Sequence, residues 1–229
     1  MEEVLRDPKV KILVALRGGY GSGQLVFDLM RMKMPCPKIL IGFSDITFMH
    51  ALFNQIYALP SIHGSVKPEL ADSMTHMLRQ LKGEDANFQL TPINLLAYNI
   101  EALEGVTTGG NLTILSNLLG TSLSLDTKNK ILIIEDVAEP GYRLHRYLLH
   151  LHNANIFSQV KAVIFGTFTG KYNDMWSAVE AFSQEYLLHV PVFRTYEIGH
   201  DDANKPFTLG AMAFIDNNIL KIKSPFRLV

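Results

Sequence analysis

The chain has one cysteine, Cys36, among its 229 residues. That excludes an internal disulfide and any zinc cluster built on several cysteines, and it fits a reducing compartment. No apolar run approaches the roughly 18 residues of a membrane span. The 21 basic and 22 acidic side chains form no basic block or stripe. Neither nucleic acid nor an anionic membrane is therefore expected as a partner. The opening MEEVLRDPKV is acidic and polar where a secretory signal would be basic and then apolar. A soluble, cytoplasmic protein is the expectation. What the chain does have is apolar material: 48% of its residues are hydrophobic, enough for one large domain or two modest ones.

Short apolar runs alternate with helical patterns through the first third. The runs 10–16, 38–43 and 59–64 read as buried strands. The stretch before 10–16 reads as a short helix, and 24–33, 45–57 and 69–83 carry helical spacing. Alternation of this kind predicts a parallel α/β sheet. The character changes near 84–106, where 86–100 reads as strand pairs. Beyond it, 130–136 and 160–168 read as strands and 191–200 as a strand running into a loop, with a loop and a helix over 109–121 and helices over 142–154 and 175–189. A terminal hairpin is expected over 206–224, turning at Asp216-Asn217-Asn218. The expected organisation is an N-terminal α/β domain over 1–90, a linker over 91–106 and a second domain over 107–229. The first domain offers only three strands, whereas sheets most often have about 4–6.

Two segments invite a chemical reading. GGYGSG (18–23) lacks the spacing of a dinucleotide fingerprint, and no Gly-Lys-Ser/Thr closes it as a P-loop would. It is either a tight strand-to-helix turn or a loop whose backbone amides approach a ligand. In ILIGFSDITF (39–48) a strand pattern meets a helix pattern at Ser44. Serine there is a preferred N-cap, or a nucleophile held on a strained turn. Ile46 stands where the second glycine of a nucleophile elbow would be.

Of the eight histidines, His145, His150 and His152 fall on one predicted helix at spacings that scatter them over different faces. Solvated side chains are expected there rather than metal ligands. His63 and His200 each end a predicted strand beside a glycine, the position at which open α/β sheets bind ligands. Glu135 and Asp136 close the run KILIIED. An acid there is a helix cap, a solvated end, or the partner that orients a histidine.

Six segments taken in order, ALRGGYGS (15–22), IGFSDIT (41–47), IHG (62–64), GGNLTIL (109–115), ILIIEDVAEPGYRLHR (131–146) and IGH (198–200), resemble the LD-carboxypeptidase family. These serine peptidases include the murein tetrapeptide carboxypeptidases and the microcin C immunity proteins. The resemblance implies a flavodoxin-like α/β domain, here truncated, followed by a smaller β-rich α/β domain. It implies a triad of Ser44, Glu135 and His200. Backbone amides of Asp45 and of Gly18 or Gly19 would form the oxyanion hole. Arg17 is a candidate to bind the substrate's free carboxylate or equally to brace the glycine loop, and His63 is a candidate substrate contact. No metal or other cofactor is implied. The implied substrate is a murein tetrapeptide, cut before its terminal D-alanine during peptidoglycan recycling, and the implied assembly is a homodimer.

Some features depart from the family. Further strands and helices precede RGGYG in the family, whereas 16 residues precede it here. A truncated gene, an internal fragment and a dimer that covers the gap would each account for this. Ser65 stands where proline usually follows His-Gly, and His145 where an acidic residue commonly precedes the arginine. Two other functions compete: an immunity hydrolase cleaving peptide–nucleotide antibiotics, favoured by a loop able to stack adenine, and an inactive remnant. A class I glutaminase would need a cysteine at position 44.

Overall fold

The structure, a computed structural model, describes residues 1–34, 36–66, 71–201 and 204–227. It opens with α1 (Glu2–Arg6), whose acidic first turn and basic last turn suit the helix dipole. β1 (Ile12–Val14) follows, then α2 (Ser22–Leu29), β2 (Ile39–Gly42), α3 (Thr47–Gln55) and β3 (Ser61–His63). The three strands run parallel, because each helix returns the chain to the same end of the sheet. The helix expected over 69–83 is α4 (Ala71–Leu81), and residues 69 and 70 lie outside the described residues.

Residues 91–106, expected to be a linker, carry structure of their own. β4 (Ala86–Gln89) and β5 (Thr91–Pro92) precede a short α5 (Leu95–Tyr98). β6 (Ala102–Asn111) then runs straight through the expected boundary. Next come α6 (Leu112–Leu118), β7 (Lys130–Val137), α7 (Gly141–Asn153), β8 (Ala162–Thr169), α8 (Met175–Tyr186) and β9 (Val192–Arg194). The chain closes with β10 (Phe207–Leu209), β11 (Met212–Asp216) and β12 (Ile219–Ile222). Asn217 and Asn218, both at positive φ, make the predicted turn between the last two strands.

The strands form two sheets, ordered β1-β2-β3-β10 and β4-β12-β11-β6-β7-β8-β9-β5. β6 to β9 run parallel at the centre of the second. The continuous apolar runs of β7 and β8 are explained by burial on both faces. Leu132, Ile134, Val163 and Phe165 pack with the helices, whereas Ile131, Ile133 and Ile164 face Phe193, Phe207 and the terminal strands. β10 leaves the C-terminal region to pair antiparallel with β3, setting Phe207 opposite His63. This pairing joins the end of the chain to the first sheet. Among the described residues no helix is long and apolar enough to cross a membrane.

Candidate active site

β2 ends at Gly42, and the chain turns sharply into a 3-10 turn spanning Ser44–Ile46. Ser44 has φ +61°, a left-handed backbone that costs a non-glycine residue about 1–3 kcal/mol. A capping residue has extended backbone instead. The cap positions of this turn and of α3 belong to Phe43 and Ile46, which overturns the capping reading of Ser44. The serine is half-buried. The glycine loop lies directly against it: a Cβ on Gly18 would sit 2.7 Å from Ser44 Cβ and 3.1 Å from its Oγ. Only a glycine permits that approach.

The next residue joins the two turns together. The Asp45 carboxylate accepts the Ser22 amide N–H at 3.0 Å, and the Ser22 hydroxyl donates to the Asp45 carbonyl at 2.5 Å. The first residue of α2 is thereby tied to the turn that carries Ser44.

Glu135 comes from the second sheet. It is fully buried, and the register of β7 against β8 breaks between Ile134 and Asp136. Such irregularities re-aim a side chain out of the ladder. The segment after β9 crosses at this point. Thr167 donates its amide to the Ile198 carbonyl at 2.7 Å. A Cβ on Gly166 would lie 2.5 Å from that carbonyl and 3.2 Å from Glu135 Cβ, so glycine is what lets the segment close over the acid. The strand expected to reach residue 200 ends at Arg194, and the irregular stretch beyond it carries His200 to Glu135. Their Nδ1 and Oε2 are 2.5 Å apart. The His200 ring packs at 5.2 Å on that of Phe43, the immediate neighbour of Ser44.

Asp136 turns the other way. It accepts from the Asn111 side-chain amide, from the Thr113 amide and hydroxyl, and from the Val137 amide. It thus braces the start of α6. Burial, reinforced by the Glu135 charge, raises its pKa to about 6.

The family models described as the LD-carboxypeptidase N-terminal and C-terminal domains match residues 1–64 and 104–215. The chain belongs to the LD-carboxypeptidase family. It is 32% identical to the murein tetrapeptide carboxypeptidase of Pseudomonas aeruginosa, across 93% of this chain and 75% of that protein. The crystal structure of muramoyltetrapeptide carboxypeptidase from Oxalobacter formigenes superposes with a TM-score of 0.81 at 25% identity, covering 97% and 80% of the two chains. The microcin C7 self-immunity protein shares the fold, with a TM-score of 0.77 at 20% identity over 98% and 79%.

In this member of the LD-carboxypeptidase family, Glu135 and His200 meet directly, the Phe43 ring packs on His200 beside Ser44, and Gly18 lies against Ser44. Gly19, at φ +133°, has open space beside it, and Arg17 is exposed where the glycine loop begins. His63 differs from expectation. It is 1% exposed and has no surface with which to meet a substrate. Instead its Nε2 lies 3.7 Å from Glu135 Oε1. Burial above all, then the nearby His50 and His200, hold its pKa well below the ordinary value. His145 and His152 are only partly solvated, because both also pack on Phe182 and Tyr186 of α8. Ser22, Gly166 and His50 escaped sequence reasoning. Only the Gly-Ser spacing of the loop and the glycine within β8 hinted at the first two.

Proposed function

We propose that the chain is a serine carboxypeptidase that hydrolyses the L,D bond before the terminal D-alanine of a murein tetrapeptide. The observation that carries this reading is the Glu135–His200 contact at 2.5 Å, set beside a serine on strained backbone. Glu135 accepts the Nδ1 proton of His200, which makes Nε2 the base. His200 takes the Ser44 proton as Oγ attacks the scissile carbonyl. The amides of Asp45 and of Gly18 or Gly19 receive the charge that develops on oxygen. D-Alanine leaves with the proton held on His200. Water, deprotonated by the same ring, then releases the shortened peptide from Ser44.

Arg17 is assigned to the free carboxylate of the substrate, which a bidentate guanidinium suits. Similarity to the murein tetrapeptide carboxypeptidase of P. aeruginosa supports the choice of substrate. The reading includes a cytoplasmic location and a role in peptidoglycan recycling. The immunity-hydrolase alternative gains no support from the only tryptophan, since the Arg194 guanidinium lies 3.5 Å over the ring of Trp176.

The test is D-alanine release from purified murein tetrapeptide by the chain and by its Ser44→Ala variant. Release is expected from the first and not from the second. Arg17→Ala should raise KM by about tenfold or more, the worth of a charged hydrogen bond. A folded chain that releases no D-alanine would refute the substrate, and an unchanged KM would remove Arg17 from the site.

A further inference from the structure

Glu135 is fully buried and has two carboxylate oxygens to satisfy. Oε2 meets His200. Among the described residues Oε1 has no hydrogen-bond partner, and neither does the His63 Nε2 that faces it at 3.7 Å. A buried carboxylate oxygen left without a donor is costly, and so is a buried ring nitrogen left without a partner. Each is the other's nearest polar counterpart. The His63 ring is held for this approach from both sides, by Phe207 at 4.8 Å and by His50 at 5.5 Å. His50 is fixed in turn, donating from Nε2 to the Gly42 carbonyl at 3.0 Å and accepting the Ser61 hydroxyl at Nδ1, 2.8 Å away.

We propose that His63 is a positioning residue for the triad, its Nε2–H closing on Glu135 Oε1 when the charge of the carboxylate is called on during the reaction. The inference rests on the triad reading above. The acid would then be held by one histidine from each side of the cleft. Glu135 belongs to the second sheet and His63 to the first, so the contact also sets how the two sheets meet at the reacting serine. Among the described residues, the groups placed against His63 are His50 from α3, Phe207 from β10, Glu135 from β7, and His200 from the segment after β9. Glu135 is the only acid among them.

A fluorophosphonate that phosphonylates activated serines tests this without committing to a substrate. The bond formed is Ser44 Oγ–P, and fluoride leaves as His200 accepts the hydroxyl proton. Labelling rates are measured against pH for the wild type, His63→Gln and His63→Leu, with D-alanine release followed in parallel. Glutamine keeps a donor to offer Glu135, and its rate should stay within about threefold of the wild type. Leucine removes the donor, and the rate should fall about tenfold to a hundredfold, the range for a charged hydrogen bond. Without a second donor, Glu135 would bind the His200 proton more tightly. The acidic limb of the leucine profile should therefore move to higher pH. Should the leucine variant not fold, His63→Met, flexible enough to fill the space, makes the same comparison.

Equal rates in the glutamine and leucine variants, or a loss with the acidic limb in place, would overturn the proposal and leave His63 a packing residue. A wild type that resists labelling would mean that the triad itself is unformed, and the proposal would fall with it. Labelling without D-alanine release would refute only the substrate.

Discussion

His50 shows how one buried side chain fixes the acid limit of the fold. Its two ring nitrogens are occupied by Gly42 and Ser61, and burial lowers its pKa from 6.5 to about 4. The folded state refuses a proton that the unfolded chain accepts below pH 6.5. Stability is therefore fully present above that value and is lost as pH falls toward 4, by about 3 kcal/mol in total. The lowered pKa of His63 acts in the same direction. His50→Gln keeps one donor and one acceptor but cannot titrate. The fall in unfolding free energy between pH 7 and pH 4, read from urea titrations, should be smaller in this variant by that same amount. An unchanged fall would show that the ring does not set the acid limit.

At the scale of elements, the two hydrogen bonds that Ser22 donates to Asp45 do more than hold a helix end. They lock the turn after β1 to the turn after β2, and those turns supply the two proposed oxyanion donors. Their spacing is thus set by two hydrogen bonds from Ser22, a residue outside the proposed catalytic machinery. Ser22→Ala keeps the Ser22 amide bond and loses the hydroxyl bond. Stability should drop by about 1 kcal/mol. kcat should fall about tenfold or more through misplacement of the donors, while KM stays within about twofold. A KM increase with kcat preserved would mean that the clamp shapes substrate binding and not the reaction.

The elements themselves were legible in the sequence wherever local pattern decides. The buried runs of β2, β7 and β8, the amphipathic α4 and α7, and the Asn217-Asn218 turn all lie where periodicity or turn chemistry puts them. Illegible were the pieces whose structure depends on distant partners. The alternation over 86–100 announced strands there, but not that β4 pairs with β12. Nor did it show that β5 is two residues paired to the distant β9. β10 reads as half a hairpin until it is found in the other sheet. The same holds at the site. A motif can nominate Ser44, Glu135 and His200, but no local pattern tells that His63, 72 positions before Glu135, stands behind it rather than before the substrate.

At the scale of the whole molecule, the first sheet is finished differently on its two sides. β10 covers one side of β3, whereas β1 pairs only with β2, and among the described residues no strand lies on its other edge. Val14 is 47% exposed on that edge and Leu16 78% just beyond it. Unpaired backbone beside exposed apolar side chains is a template for another strand. A second copy presenting the same edge can satisfy it around a two-fold axis, as most homo-oligomers do. The chain is therefore expected to associate reversibly as a dimer, with a weight-average mass in light scattering that rises with concentration. Val14→Lys places a charge on the edge without entering the core. It should shift the equilibrium to monomer and leave the unfolding midpoint of the monomer unchanged. A wild type that stays monomeric at every concentration would show that this edge, though open, recruits no second copy. A variant that associates as strongly as the wild type would place the interface elsewhere.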